Sequence, residues 1–158
     1  MTTEAAGRLL ERLGARGWSL GTAESLTGGL LAATVVDVPG ASRVFAGSVV
    51  AYDPQVKIGV LGVDEGLIAR VGTVDEEVAR QMAQGARRVL SVDLVLATTG
   101  VAGPGPSEGH PVGTVWLACA SPAGVFTRRL ALTGERARVR SGAVEAALLL
   151  GHEVTLSG

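Results

Sequence analysis

Tyr52 and Lys57 are the single tyrosine and the single lysine of a 158-residue chain, close together in Tyr52-Asp53-Pro54-Gln55-Val56-Lys57. The chain has 14 basic side chains, and all but Lys57 are arginine. A guanidinium stays charged at any accessible pH, whereas an amine can be made to release its proton. A lone lysine in an arginine-rich chain therefore reads as a general base, although a surface lysine kept by chance gives the same composition. Moving an amine from about 10.4 to 7 or 8 takes roughly 3–4 kcal/mol of bias against the cation. A place near a helix start contributes only about 0.3–1 kcal/mol. Burial or a nearby arginine has to supply the rest.

A base implies something to deprotonate. Thr22-Ala23-Glu24-Ser25-Leu26-Thr27-Gly28-Gly29 offers Ser25 where a strand gives way to a helix. Sites in open α/β sheets gather at that edge, and N–H groups of a helix start can hold an oxyanion or a phosphate. Gly28 and Gly29 let a ligand come close to the backbone. A plain helix cap by Ser25 or Thr27 satisfies the same pattern. A second segment, Thr98-Thr99-Gly100-Val101-Ala102-Gly103-Pro104, leads into a loop over 99–113 with five glycines and three prolines. Backbone donors and hydroxyls collect there, and loops this long are uncommon in compact domains unless they have a function. Arg136 and Arg140 share a helix face, which suits a phosphate grip and equally a solvated basic surface.

The elements that position these residues follow from periodicity. Helices are expected over 4–16, 27–36, from Asp53-Pro54, over 65–71, from the capping-box spacing Thr73 to Glu76 as far as Leu90, and over 135–150. Strands are expected over 18–23, 44–52, 92–98, 114–120 and 125–132, with 44–52 buried on both faces. Ser121-Pro122-Ala123-Gly124 makes the last two a hairpin. Helices between the early strands imply parallel crossovers. The reading is one α/β domain over 1–158, a three-layer α/β/α sandwich with a mixed, mostly parallel sheet.

Composition narrows the function classes. A net charge of -1 argues against nucleic acid or an anionic membrane as the partner. The lone Cys119 forms no intramolecular disulfide, and His110 and His152 lack ligand-spaced partners, so neither a metal nor a cofactor is expected. The first residues have no signal-peptide character, and no stretch suits a membrane span, so a cytoplasmic protein is expected. Strand edges that need protection favour a homodimer. There is no G-x-S-x-G elbow, Walker loop or dinucleotide fingerprint.

Five segments in order, Ala23 to Gly29, Tyr52 to Lys57, Thr99 to Pro104, Pro111-Val112-Gly113-Thr114-Val115-Trp116 and Gly134-Glu135-Arg136, resemble the CinA C-terminal domain family. Its stand-alone members include nicotinamide-mononucleotide amidohydrolases. The resemblance implies deamidation of nicotinamide mononucleotide to nicotinate mononucleotide and ammonia, in pyridine-nucleotide recycling. It maps the family's serine onto Ser25, its lysine onto Lys57 and its tyrosine onto Tyr52. Thr27, Gly28, Gly29, Thr99, Gly100, Ala102, Gly103 and Arg136 become the candidate substrate contacts, with Arg136 and the 99–103 loop on phosphate or ribose. The alternative is a non-catalytic nucleotide-binding or regulatory domain tied to competence or DNA repair. Leu26 replaces a cysteine found in many relatives. The loop Pro104 to Pro111 is shorter than usual and lacks the customary Glu-Lys before Pro111.

Overall fold

The computed structural model describes residues 2–157. The chain runs α1 (Thr2–Arg16), β1 (Leu20–Glu24), α2 (Leu30–Val36), a 3₁₀ turn (Ala41–Arg43), β2 (Phe45–Val50) and α3 (Pro54–Gly59). It continues through α4 (Glu65–Val71), α5 (Glu76–Leu90), β3 (Leu94–Gly100), β4 (Thr114–Ser121), β5 (Gly124–Ala131) and α6 (Arg136–Ser157). The strands form one sheet in the order β2-β1-β3-β4-β5. β1 pairs in parallel with β2 and with β3, while β3–β4 and β4–β5 are antiparallel. Only β4 therefore runs against the others, in agreement with the expected mixed α/β sandwich.

Alternating side chains feed two cores, as a strand period of two requires. Leu94 and Leu96 of β3, with Val115, Leu117 and Cys119 of β4, meet α1, α2 and α6 on one face. Val95 and Ala97, with Ala118 and Ala120, meet α5 and the α3–α4 segment on the other. α1 buries the Ala5, Ala6, Leu9, Leu10 and Leu13 stripe that its periodicity predicts. The second core is lined by small residues, so its helix sits close. A side chain at Gly85 of α5 would strike the carbonyl of Leu61, its Cβ falling 1.8 Å from that oxygen. Among the described residues, no helix is long and apolar enough to cross a membrane.

Four expectations change. β2 lies at the sheet edge and is only half-buried, whereas β1, flanked by β2 and β3, is buried throughout. Its apolar run records composition, not position. The helix expected from Thr27 begins at Leu30, because Gly28 and Gly29 adopt φ of 54° and 100°, which no right-handed helix admits. Asp75, not Thr73, caps α5, its carboxylate accepting the N–H of Glu77 at 2.8 Å. α6 passes Leu150 and continues to Ser157.

Candidate active site

β1 ends at Glu24 and hands the chain to a tight turn. Ser25 still donates its N–H to the carbonyl of Thr98 in β3 (3.0 Å), and Gly28 closes the turn onto the carbonyl of Ser25 (3.1 Å). Gly29 at the N-cap of α2 has no side chain with which to satisfy the helix's free N–H groups. Glu24 does so from the preceding strand. Its fully buried carboxylate accepts from the N–H of Gly29 (3.1 Å), Leu31 (2.9 Å) and Ala32 (2.9 Å), and from the hydroxyls of Thr22 and Ser48. Arg140 of α6 holds the other side of the turn, Nε on the carbonyl of Leu26 (2.8 Å) and Nη2 on that of Thr27 (2.9 Å). A buried acid thus fixes the donors near Ser25, and an arginine fixes the acceptors. Local patterning does not reveal either role: Glu24 falls within the motif and Arg140 reads as part of a phosphate grip.

Lys57 reaches the same point from α3. Asp53 caps this helix, accepting the N–H of Gln55 at 2.7 Å, and Pro54 fills its first position. The turn so started aims Lys57 inward, where it is 1% exposed. Its Nζ lies 2.9 Å from Ser25 Oγ, 2.7 Å from the carbonyl of Ala51 and 3.1 Å from that of Tyr52. A neutral amine has two protons and one lone pair. The two carbonyls can only accept, so they take the protons and leave the lone pair for the hydroxyl of Ser25. Burial pushes the amine down from 10.5 to about 8, against the opposing pull of Glu108 and Asp53. The bias demanded by the sequence argument is supplied by desolvation, not by an arginine.

Above this pair opens a cavity of about 280 Å³ lined by Ser25, Leu26, Tyr52, Thr73, Val74, Gly100 to Gly103, Gly105, Ser107, Glu108 and Arg136. The N–H groups of Leu26, Ala102 and Gly103 find no acceptor among the described residues, which leaves them available to an oxyanion or a phosphate. At the rim Arg136 donates to the carbonyl of Gly103 and, at 3.3 Å, to the phenol of Tyr52. Glu108 accepts from the N–H and the hydroxyl of Thr73, each at 2.7 Å, and Thr99 Oγ1 donates to the carbonyl of Thr73 at 2.7 Å. A larger hollow of about 590 Å³, lined by Gln84, Arg87, Arg88 and Ser121 among others, lies between α5 and the β4–β5 hairpin and holds no such serine–lysine contact.

Of the residues singled out in sequence, Ser25, Tyr52, Gly100, Ala102, Gly103 and Arg136 line the cavity, with Lys57 directly behind Ser25. Tyr52 contributes its carbonyl to Lys57, while its phenol points to Arg136 and bonds neither Ser25 nor Lys57. Thr27 is buried with its hydroxyl on that of Thr98 (2.8 Å), and Thr99 is turned toward Thr73. Gly28 and Gly29 shape the turn and do not line the cavity. Leu26 packs into the core, which accommodates the exchange for cysteine. Ser107 and Glu108 enter the site from the 99–113 loop, and Thr73 from the segment before α5, without an individual sequence signal that marks them as site residues. Among the described residues, no group of three or more His, Cys, Asp or Glu side chains is placed to hold a metal ion.

Residues 2–154 match the family model described as the CinA C-terminal domain. The chain belongs to this family. A CinA-like protein of Frankia casuarinae is 50% identical over 142 residues, covering 90% of this chain and 33% of that protein. A putative competence-damage inducible protein of Desulforamulus reducens is 51% identical over 132 residues, covering 84% and 32%. The chain thus spans about a third of the length of these curated relatives. Among solved structures, a CinA superfamily protein from Klebsiella pneumoniae superposes with a TM-score of 0.96 at 33% identity, covering 100% of this chain and 99% of that one. Its counterpart from Escherichia coli gives 0.93 at 32% identity, covering 99% and 90%. The family assignment and the fold therefore agree along almost the whole chain.

Proposed function

We propose that this chain is an amidohydrolase that converts nicotinamide mononucleotide to nicotinate mononucleotide and ammonia, with Ser25 as nucleophile and Lys57 as general base. The observation that carries the reading is the buried Lys57 Nζ, 2.9 Å from Ser25 Oγ and otherwise bonded to two carbonyls. With a pKa of about 8, about one-tenth of the amine is free base at pH 7. In the first step the lone pair of Lys57 takes the Ser25 proton and Oγ bonds to the carboxamide carbon. The resulting oxyanion is met by N–H donors such as those of Leu26 and Ala102. The Lys57 ammonium returns its proton to the amide nitrogen, the C–N bond breaks and ammonia leaves. Water, deprotonated by the same amine, then cleaves the serine ester.

In this reading Arg136 takes the substrate phosphate, and Tyr52 keeps Arg136 in place through its phenol. Self-association through a sheet edge belongs to the same proposal, because β2 and β5 both end the sheet with unpaired backbone. The test is incubation with nicotinamide mononucleotide while ammonia and nicotinate mononucleotide are followed. Turnover by the wild type, lost in Ser25→Ala and Lys57→Arg, is expected. Activity surviving in Lys57→Arg would remove the base assignment. A folded wild type that binds the nucleotide without turnover would favour the regulatory alternative.

A further inference from the structure

Two charged side chains face the cavity that holds Ser25, and they do not pair with each other. Arg136 is held by neutral oxygens, the carbonyl of Gly103 and the phenol of Tyr52. Glu108 is held by the neutral donors of Thr73, N–H and hydroxyl. Neither enters any ion pair among the described residues. The remaining lining residues carry no formal charge. The cavity mouth therefore presents one fixed positive and one fixed negative group, each oriented by neutral partners.

A latch onto Thr73 needs only an acceptor, which a neutral amide would also supply. The carboxylate adds a field, and that field reaches the floor. Glu108 pulls the pKa of Lys57 upward, against the desolvation that makes the amine a base. A charge that works against the base at the floor has a rationale if the ligand itself needs it. The ligand chemistry that uses both rim charges is dipolar, with an anionic end for the guanidinium and a cationic group for the carboxylate.

We propose that Glu108 is a specificity-determining residue that selects amides carried on a cationic ring, while Arg136 takes the anionic end of the same molecule. The inference rests on the reading of Ser25 as an amide-attacking serine. A pyridinium carboxamide bearing a phosphorylated ribose has this charge pattern. Its dihydro form keeps the shape of the phosphate end and loses the ring charge.

The experiment measures binding to Ser25→Ala protein, so that hydrolysis does not intrude, using oxidised and dihydro nicotinamide mononucleotide. The expected result is a preference for the oxidised form of about three- to tenfold, shrinking as salt rises from about 0.05 to 0.5 M. Adding Glu108→Gln should abolish that preference, whereas Thr73→Val, which loosens the latch and leaves the charge, should retain it. A preference unchanged by Glu108→Gln, an equal loss in Thr73→Val, or no binding of either form would each overturn the proposal. The amidohydrolase reading fails separately: wild-type protein with the charge preference and no turnover would contradict that reading and leave the selectivity of Glu108 standing.

Discussion

At the floor of the cavity Lys57 is 1% exposed and Ser25 8%, and their bonds go to carbonyls and turns buried with them; at the rim Tyr52 is 62% exposed, and Arg136 and Glu108 hang from loop atoms. Both regions hold a cation. The buried one is a lysine whose proton is loosened by desolvation, and the exposed one is an arginine that keeps its charge at any working pH. Exchanging their chemistries would disable both. For the proposed reaction the floor has to be dry to make a base. In the same reading the rim has to stay wet enough for charges to persist and for a polar substrate to enter.

Four experiments sharpen or break this contrast. Lys57→Arg should lower kcat by about a hundredfold or more, because a guanidinium cannot take the Ser25 proton. Circular dichroism should show a retained fold, and near-normal turnover would erase the distinction between the two cations. Glu24→Ala should destabilise the protein by about 3 kcal/mol or more, since three backbone donors, that of Leu31 buried and those of Gly29 and Ala32 partly so, lose their acceptor together. Denaturant unfolding measures this, and a loss below about 1 kcal/mol would mean that the turn stands without its cap. At the rim, Arg136→Ala should raise KM by about tenfold or more while kcat changes by only a few-fold, the pattern of lost uniform binding. Tyr52→Phe should have the smallest effect, a few-fold rise in KM, because it removes one 3.3 Å bond to Arg136 and leaves the backbone carbonyl on Lys57.

The low pKa of Lys57 also has a thermodynamic consequence with a definite sign. Between about 8 and 10.5 the unfolded chain keeps a proton on Lys57 that the folded chain has lost. Stability should therefore rise with pH across that window, by up to about 3 kcal/mol, and not fall. The same burial makes the protein less stable at neutral pH than it would be with an uncharged residue there. Unfolding midpoints for wild type and Lys57→Met between pH 7 and 10 should converge as pH increases.

The Ser25–Lys57 contact was legible because both of its members carry local signals. One lysine among arginines, and a serine at a strand end before two glycines, are local facts that need no tertiary knowledge. What holds the pair was not legible. Arg140 reaches Leu26 and Thr27 from the last helix, and Glu108 reaches Thr73 across 35 positions, so no spacing rule connects them. Strand order decided burial in the sheet. The apolar β2 went to the edge, while β1, with Thr22 and Glu24, took an interior position where the donors of α2 satisfy its carboxylate. α6 shows a related difficulty. Gly151 resembles a stop signal, yet in the fold it admits Leu96 and Leu9, whose methyls lie 3.0 and 3.2 Å from where its Cβ would be. The glycine brings the helix close to its neighbours and does not end it.

The presence of a single lysine also makes the decisive measurement simple. Protein labelled at lysine Cε and Nζ gives one side-chain resonance, which belongs to Lys57. Following it through a pH titration should show a midpoint near 8, matching the rise of kcat/KM with pH. A midpoint close to the ordinary 10.5, with the fold intact, would contradict the assignment of Lys57 as the base.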